Sequence, residues 1–228
     1  MKLQSQHSHG LNTHKTDRSI LETREFLRAY PGMAHRPSLG SDFILQEIFK
    51  FSTKYKNYDR IIDSYRLKIN IPPKYPKELP VVKEIGNKIP HRGEYHVNND
   101  GSLCLGSRLR LLWKISKNPT LCGFAENCLE PYLYAISYKL KFGGDLPFSE
   151  LEHGSPGEMN DYADLFGLLS SEQAKYALLL LGMKKRLANK KPCPCGCGIR
   201  LGKCKFNDTL REFRSLAERP WFRSLISN

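Results

Sequence analysis

The chain has 228 residues, of which 40% are hydrophobic, so it is long enough to bury a substantial core. Its mean hydropathy is -0.49, and no apolar run is long enough to cross a membrane. The His-rich segment from Met1 to His14 lacks the apolar stretch of a secretion signal. These properties exclude an integral membrane protein, and we expect a soluble protein of the cytoplasm.

The formal net charge of +13 is typical of proteins that bind nucleic acid or another acidic partner. The positive charges are nevertheless spread along the chain, and the one dense cluster runs from Lys184 to Lys191. A solvated helix end followed by a linker has the same composition. An acidic protein suits this charge pattern as well as nucleic acid does, so a protein partner is our main expectation and nucleic acid stays an open alternative.

The N-terminal half predicts a helix followed by antiparallel strands. Residues 1–16 have a composition typical of disorder, and a helix is expected from about Asp17 to Ala29. The segment from Ser64 to Ile71 alternates between polar and apolar residues, as a strand with one buried face does. We also expect strands near residues 43–51 and 81–85, a hairpin loop at residues 54–59 and a Pro-rich turn at residues 72–80.

The second half predicts mainly helices. From Gly86 to Ser107 no periodicity holds, and Gly and Asn are frequent, which is typical of a functional loop on a rigid sheet. From Leu121 to Phe142 the pattern is helical, and Pro131 within it predicts a kink or a restart. Further helices are expected over about residues 158–168, 171–188 (capped by Ser170) and 208–216.

The cysteines fall into two groups along the chain. In a reducing compartment they serve as thiols, metal ligands or nucleophiles rather than as disulfides. Cys104 lies in the aperiodic loop, which favours reactivity. Its neighbours Leu103 and Leu105 fit equally a buried cysteine that acts as a small hydrophobic residue. The residues alone leave both roles open, whereas Cys122 and Cys128 are expected to pack in the core.

Several short motifs surround Cys104 in a definite order. They are Pro73-Lys74-Tyr75-Pro76, then His96-Val97-Asn98, then Gly101-Ser102-Leu103-Cys104-Leu105, and finally Trp113. This order resembles the ubiquitin-conjugating enzymes, which have a Tyr-Pro turn after the third strand, a His-Pro-Asn motif, a Gly-x-x-Cys-Leu segment and a tryptophan. The resemblance covers about residues 17–145. Two features depart from the family pattern: Val97 replaces the proline, and the five-residue gap between Asn98 and Cys104 is shorter.

The resemblance implies an α+β fold of the UBC type, with an N-terminal helix, a four-stranded antiparallel meander and C-terminal helices. It also implies that Cys104 accepts an acyl group as a thioester and passes it to an amine. Asn98 would donate to the developing oxyanion or brace the loop, and His96 would mainly shape the loop. Asp100 is the nearest acidic residue in the sequence for accepting the proton of the amine.

The departures resemble divergent bacterial members of the family, which are found in antiphage defence operons of the CBASS type. Those members help to attach a cGAS-like nucleotidyltransferase, or a ubiquitin-like protein, through its C-terminus to targets. The expected partner is therefore a protein with a conjugatable C-terminus. The sequence shows no Gly-rich nucleotide loop, so we expect a separate activating enzyme. The alternative is a non-catalytic adaptor for an acidic protein or nucleic acid, which Val97, the shortened loop and the net charge favour.

Four cysteines crowd together near the C-terminus, namely Cys193, Cys195, Cys197 and Cys204. Four thiolates can hold a tetrahedral Zn²⁺, and four protein ligands leave no open position, so a structural metal is expected. The alternative is a redox-inert thiol cluster. The spacing resembles the SEC-C motif, a small zinc-binding hairpin. Lys205 stands where that motif has its last ligand, so Cys197, water or a distant histidine is expected to complete the set.

These expectations divide the chain into four parts. They are a tail (1–16), a ubiquitin-conjugating-like domain (17–145), a helical connector (146–190), and the SEC-C-like Cys cluster with a terminal helix (191–228).

Overall fold

One antiparallel sheet and a series of helices make up the described chain. The computed structural model describes residues 21–38, 43–147 and 155–226, so the predicted tail lies outside the described residues. In chain order the elements are α1 (21–29), β1 (Met33–Arg36), β2 (Phe43–Thr53), β3 (Ile61–Ile71), β4 (Val81–Glu84), α2 (Arg108–Lys117), α3 (Leu121–Phe124), α4 (Glu130–Phe142), α5 (Ser155–Phe166), α6 (Ser171–Leu181), α7 (Lys185–Ala188), α8 (Phe206–Arg214) and α9 (Arg219–Ser224).

The sheet is an antiparallel meander in the order β1-β2-β3-β4. In β3 every second residue from Tyr65 to Ile71 is buried, and the residues between them are more exposed. Strand β2 pairs with β3 in a register that places Phe49 opposite Tyr65 and Leu45 opposite Ile69. The strand predicted from this alternation is therefore confirmed, and so are the α+β class and the four-stranded antiparallel sheet that the sequence resemblance implied.

A tight turn joins α1 to the sheet, and it requires a glycine. Ile48 donates its backbone N–H to the Gly32 carbonyl at 3.0 Å, and a Cβ on Gly32 would lie 2.4 Å from the Ile48 carbonyl oxygen. The neighbouring Glu47, which breaks the apolar alternation of β2, has a φ of 113°. Its carboxylate accepts a hydrogen bond from Arg36 at 2.6 Å, and this bond lowers the pKa of Glu47.

Helix α4 packs across the sheet and closes the first hydrophobic core. Polar side chains fix its position at two points. Tyr65 Oη and Ser137 Oγ are 2.6 Å apart, and Ser137 Oγ donates to Asp63 at 2.8 Å. Tyr30 Oη, at the end of α1, donates to Glu130 at 2.9 Å. Burial strengthens such bonds, because water does not compete for the same donors.

The helical stretch from residue 121 to residue 142 is irregular just before Pro131. A π-helical turn over Ala125–Leu129 separates α3 from α4. Pro131 lies in the first turn of α4, where its missing N–H leaves no hydrogen bond unmade. The proline therefore closely follows a π-helical turn in a helical stretch that continues without a break.

A second hydrophobic core lies among the C-terminal helices. Ser170 caps α6 as predicted, because its Oγ accepts the Gln173 N–H at 3.2 Å. The buried side chains come from α2, α5, α6, α8, α9 and the segments between them, and include Leu109, Tyr162, Phe166, Ala174, Leu178, Leu181, Leu201, Leu210, Phe213 and Phe222.

Three helical segments differ from the sequence-based prediction. Helix α2 occupies a segment for which no helix was predicted, and α9 follows the helix that was expected to be the last. The helix predicted to reach Ala188 ends at Leu181, because Gly182 follows it and Lys184 is extended (ψ 131°) before the short α7 begins.

A buried carboxylate joins α5 to α2 and so connects the two cores. Asp161 on α5 accepts a hydrogen bond from the Ser107 hydroxyl and one from Arg110 Nε at 2.6 Å. Arg110 also reaches Asp164 at 2.7 Å. The Asp161 side chain is only 5% exposed. A buried carboxylate with these partners is stable only while the cation is present.

We expect Arg110→Met to destabilise the protein by about 2–3 kcal/mol, because Asp161 would keep its burial and lose its cation. The value lies below that of a fully buried pair because Arg110 is 26% exposed. Urea unfolding measures the change. Lys117→Met is the matched control, since the Lys117–Glu212 pair on the protein surface contributes less than about 1 kcal/mol. Equal effects of the two substitutions would contradict the assignment.

Candidate thiol site and cysteine cluster

A small hairpin holds Cys104 at the margin of the sheet. The Cys104 N–H donates to the His96 carbonyl at 2.7 Å, and the Asn98 N–H donates to the Ser102 carbonyl at 2.8 Å. The hairpin is attached to β4, because the Leu103 N–H donates to the Val82 carbonyl at 2.8 Å. These backbone bonds fix the position of Cys104 without involving its side chain.

The two sides of this hairpin have different surroundings. Val97 and Leu103 form an antiparallel bridge, and both side chains are buried in the first core. Residues next to a bridged pair point to the other face of a hairpin. Cys104 accordingly stands on the outer side and is half-buried. Leu103 is thus the hydrophobic residue of this segment, and Cys104 is not enclosed.

Asn98 and His96 both lie on the strand opposite Cys104. The Asn98 amide donates to Ser102 Oγ at 2.9 Å, so in this structure it braces the hairpin. Asp100 accepts bonds from the Ser102 hydroxyl and N–H, which lower the pKa of Asp100. His96 has a left-handed backbone (φ 50°) and pairs with Cys104 through its carbonyl. His96, Asn98 and Asp100 therefore share one hairpin with Cys104, whereas Trp113 lies on α2 and packs against the second core.

Helix α5 carries a residue that the sequence motifs did not indicate, Glu158, whose charge acts on the Cys104 thiol. Burial raises the pKa of Cys104, the Gly106 N–H facing the sulfur opposes this rise, and the negative charge of Glu158 adds to it. Burial also raises the pKa of Glu158, against the opposing charge of Arg108. Glu158 lies one helical turn before Asp161 on α5, so the Asp161–Arg110 pair fixes the part of the helix that carries it.

We expect alkylation of Cys104 to be slow at neutral pH and to accelerate about tenfold for each pH unit, because only the thiolate reacts. A raised pKa leaves less thiolate at pH 7 than a free cysteine has. Mass spectrometry of the labelled Cys104 peptide gives the rate. Glu158→Gln removes a negative charge and should lower the pKa of Cys104, so this variant should react faster. A rate independent of pH between 6 and 8 would contradict the raised pKa.

The four C-terminal cysteines form one cluster. Their sulfur atoms all lie within 4.8 Å of one another, and the short separations are 3.2 Å (Cys193–Cys195), 3.6 Å (Cys197–Cys204) and 3.7 Å (Cys195–Cys204). Four sulfurs placed about 2.3 Å from a zinc ion form a tetrahedron with edges of about 3.8 Å. The cluster is therefore close enough to hold one metal ion and is compatible with zinc, and Cys197 belongs to the set.

Backbone N–H groups surround the cysteine sulfurs in a regular pattern. Cys193 faces the N–H of Cys195, Cys195 that of Cys197, and Cys197 that of Ile199. Phe206 donates its N–H to the Cys204 sulfur at 3.4 Å. Each sulfur therefore meets the N–H two residues ahead, an arrangement that stabilises thiolate ligands.

Two glycines allow the backbone to turn tightly enough to bring these cysteines together. Gly196 (φ 80°) and Gly198 (φ 75°) both adopt the left-handed region, on either side of Cys197.

The thiols of the cluster differ in pKa. At Cys197 the Ile199 N–H lowers the thiol pKa to about 7, whereas burial raises the pKa of Cys193. The exposed side of the cluster thus ionises near neutral pH, as a metal-binding thiol must.

Comparison with protein-family models, with characterised proteins and with solved structures gave no match to this chain. Among the described residues, no helix combines the length and the apolar character that crossing a membrane requires.

We expect the purified protein to carry one zinc ion per chain, and Cys195→Ser to lose most of it, because that sulfur has short separations to two others. Metal content measured by mass spectrometry tests this, and cobalt substitution should give the visible absorption of a tetrahedral thiolate site. Cys122→Ser, outside the cluster, is the control. Full metal occupancy in Cys195→Ser would show that the ion binds elsewhere.

Proposed function

We propose that Cys104 accepts an acyl group in a reaction of the ubiquitin-conjugating type. The observation that carries this proposal is the position of the thiol, half-buried on the outer side of a hairpin whose inner side packs into the core. The Gly106 N–H and the Glu158 charge both act on this sulfur. A cysteine that only filled space would lie on the inner side with Val97 and Leu103.

In the first half-reaction the acyl group moves onto sulfur. The Cys104 thiolate attacks the carbonyl carbon of an activated protein C-terminus, an S–C bond forms, and the activating group leaves with its electron pair. Negative charge develops on the carbonyl oxygen, where losing one hydrogen-bond donor costs ~10²–10³ in rate. Asn98 can supply that donor by exchanging its bond to Ser102 for one to the oxygen, and His96 holds the opposite strand in place.

In the second half-reaction an amine takes the acyl group from sulfur. Its nitrogen attacks the thioester carbon, the C–S bond breaks, and sulfur leaves as the thiolate. A lysine amine has a pKa of about 10.4 and must lose a proton. We assign that proton to Glu158, because its raised pKa makes it a better base than Asp100, whose carboxylate is occupied by Ser102.

The order of elements supports membership of the ubiquitin-conjugating-like family. Helix α1, the four-stranded meander, the hairpin with Cys104 and helix α4 follow one another as the sequence resemblance implies. The proposed substrate is the C-terminus of a cGAS-like nucleotidyltransferase or of a ubiquitin-like protein, activated by a separate enzyme, in bacterial antiviral defence in the cytoplasm. The cysteine cluster is proposed to hold a structural Zn²⁺ that fixes the segment from Cys193 to Cys204 against the second core.

The decisive experiment is to look for a covalent adduct on Cys104. The full chain is incubated with each candidate modifier and its activating enzyme, and we expect an adduct that thiol reagents release. Cys104→Ser should convert it into an ester that resists thiols, and Cys104→Ala should abolish it. Cys122→Ser is the matched control, since Cys122 is half-buried but lies on α3, outside the hairpin. Adducts that persist in Cys104→Ala would favour a non-catalytic adaptor.

The same assay separates the two half-reactions. Glu158→Gln should leave thioester formation intact or faster, because the pKa of Cys104 falls. It should slow transfer to free lysine by about 10²-fold, because the amine loses its proton acceptor. Asp100→Asn should leave both steps nearly unchanged. Equal slowing of both steps by Glu158→Gln would indicate a purely structural role for Glu158.

A further inference from the structure

A cavity of about 720 Å³ lies between the Pro-rich turn after β3 and the C-terminal helices. Lys77 from the turn lines one side, and α7 and the segments around α8 and α9 line the rest. Its volume lies within the range of small-molecule sites, which is about 300–1,000 Å³. It shares no lining residue with the hairpin of Cys104 or with the cysteine cluster.

Arg214 in the wall of this cavity carries a charge without a counterion. Its Nε, Nη1 and Nη2 atoms are all buried and have no hydrogen-bond partner among the residues that the structure describes. Burial alone lowers the pKa of Arg214, without a contribution from any carboxylate. A buried guanidinium without a partner is costly, and such groups are normally paired in folded proteins. An anionic ligand would supply the missing partner.

The remaining charges of the cavity have the same sign. Lys77, Lys184, Lys185 and Arg219 line it together with Arg214, whereas Glu218 is the one acidic lining residue. Cations that converge on a concave surface raise the local concentration of anions. The positive cluster that begins at Lys184 in the sequence therefore lies in part at a cavity, and not only on a solvated helix end.

We propose that this cavity binds a small molecule that carries a phosphate group, with the Arg214 guanidinium contacting the phosphate. The planar guanidinium fork matches phosphate oxygens in pairs, and phosphate satisfies several donors at once. The guanidinium nitrogens are covered in this structure, so the proposed contact requires Arg214 to rotate about its side-chain bonds when the ligand binds. The apolar lining residues Leu181, Met183 and Phe222 accommodate an uncharged part of the ligand, which favours a nucleotide over an inorganic ion.

Calorimetry with the full chain tests the proposal, with ATP and inorganic pyrophosphate as probes. We expect saturable binding of ATP at one site per chain and weaker binding of pyrophosphate. Arg214→Met should weaken ATP binding by at least about tenfold, the effect of one charged hydrogen bond. Arg211→Met, on the exposed side of the same helix, should leave it unchanged. No ATP binding, or equal binding by the two variants, would overturn the proposal, and so would a single-stranded RNA that displaces ATP by binding more tightly.

Thermal unfolding separates a ligand-binding role of Arg214 from a structural one. Without ligand, Arg214→Met should unfold at the same temperature as the parent protein or higher, because an unpaired buried charge is removed. The rise in unfolding temperature that ATP produces in the parent protein should be lost in this variant and partly restored in Arg214→Lys. A lower unfolding temperature of ligand-free Arg214→Met would show that the guanidinium stabilises the fold, and the proposal would fail.

Discussion

The interaction on which the proposed site depends is the pair of bonds that the Asp161 carboxylate accepts from Ser107 and Arg110. Ser107 stands three residues after Cys104 and immediately before α2. By binding there, α5, which carries Glu158, is fixed against α2 and joins the sheet core to the helical core. A buried ion pair adds little net stability when both partners are present. Its effect is to fix the position of α5 relative to α2. Helix α5 carries Glu158, whose charge acts on the thiol.

Three of the four strands were predictable from local sequence, whereas β1 and the surroundings of Cys104 were not fully so. Alternating side chains from Tyr65 to Ile71 report burial on one face directly, but β1 (Met33–Arg36) is short and lies between residues that predicted chain breaks. Helix α2 was missed although its buried residues Leu109, Leu112 and Ile115 recur at helical spacing, because this short stripe directly follows the aperiodic loop that holds Cys104. Glu158 could not be found at all, because it is 54 residues from Cys104 and only the Asp161 contacts bring it close. Asp100 was the nearer choice in sequence, but its own turn occupies it.

The two groups of cysteines differ in the environment of the sulfur. At Cys104 burial outweighs the Gly106 N–H, so the thiol remains protonated at neutral pH and is protected from oxidation. At Cys197 the Ile199 N–H outweighs burial, and the thiol ionises near pH 7. A metal ligand must be a thiolate before the ion arrives. An acyl acceptor needs the thiolate only when its substrate is bound. A substrate that displaces water would also change how strongly the charge of Glu158 acts on the Cys104 sulfur. The local chemistry therefore suits each group to a different task.

The charged side chains around Cys104 differ from those around Arg214. In the region of Cys104 two carboxylates are engaged, Asp161 with Arg110 and Asp100 with Ser102, and Glu158 adds its charge to the thiol. Around Arg214 the balance is reversed, because five cationic side chains line a cavity with one carboxylate. A net charge of +13 opposes folding through self-repulsion, and most strongly where like charges converge. An anion bound near the Arg214 guanidinium would relieve this repulsion, so the cavity is the place where the excess of positive charge most directly favours a ligand.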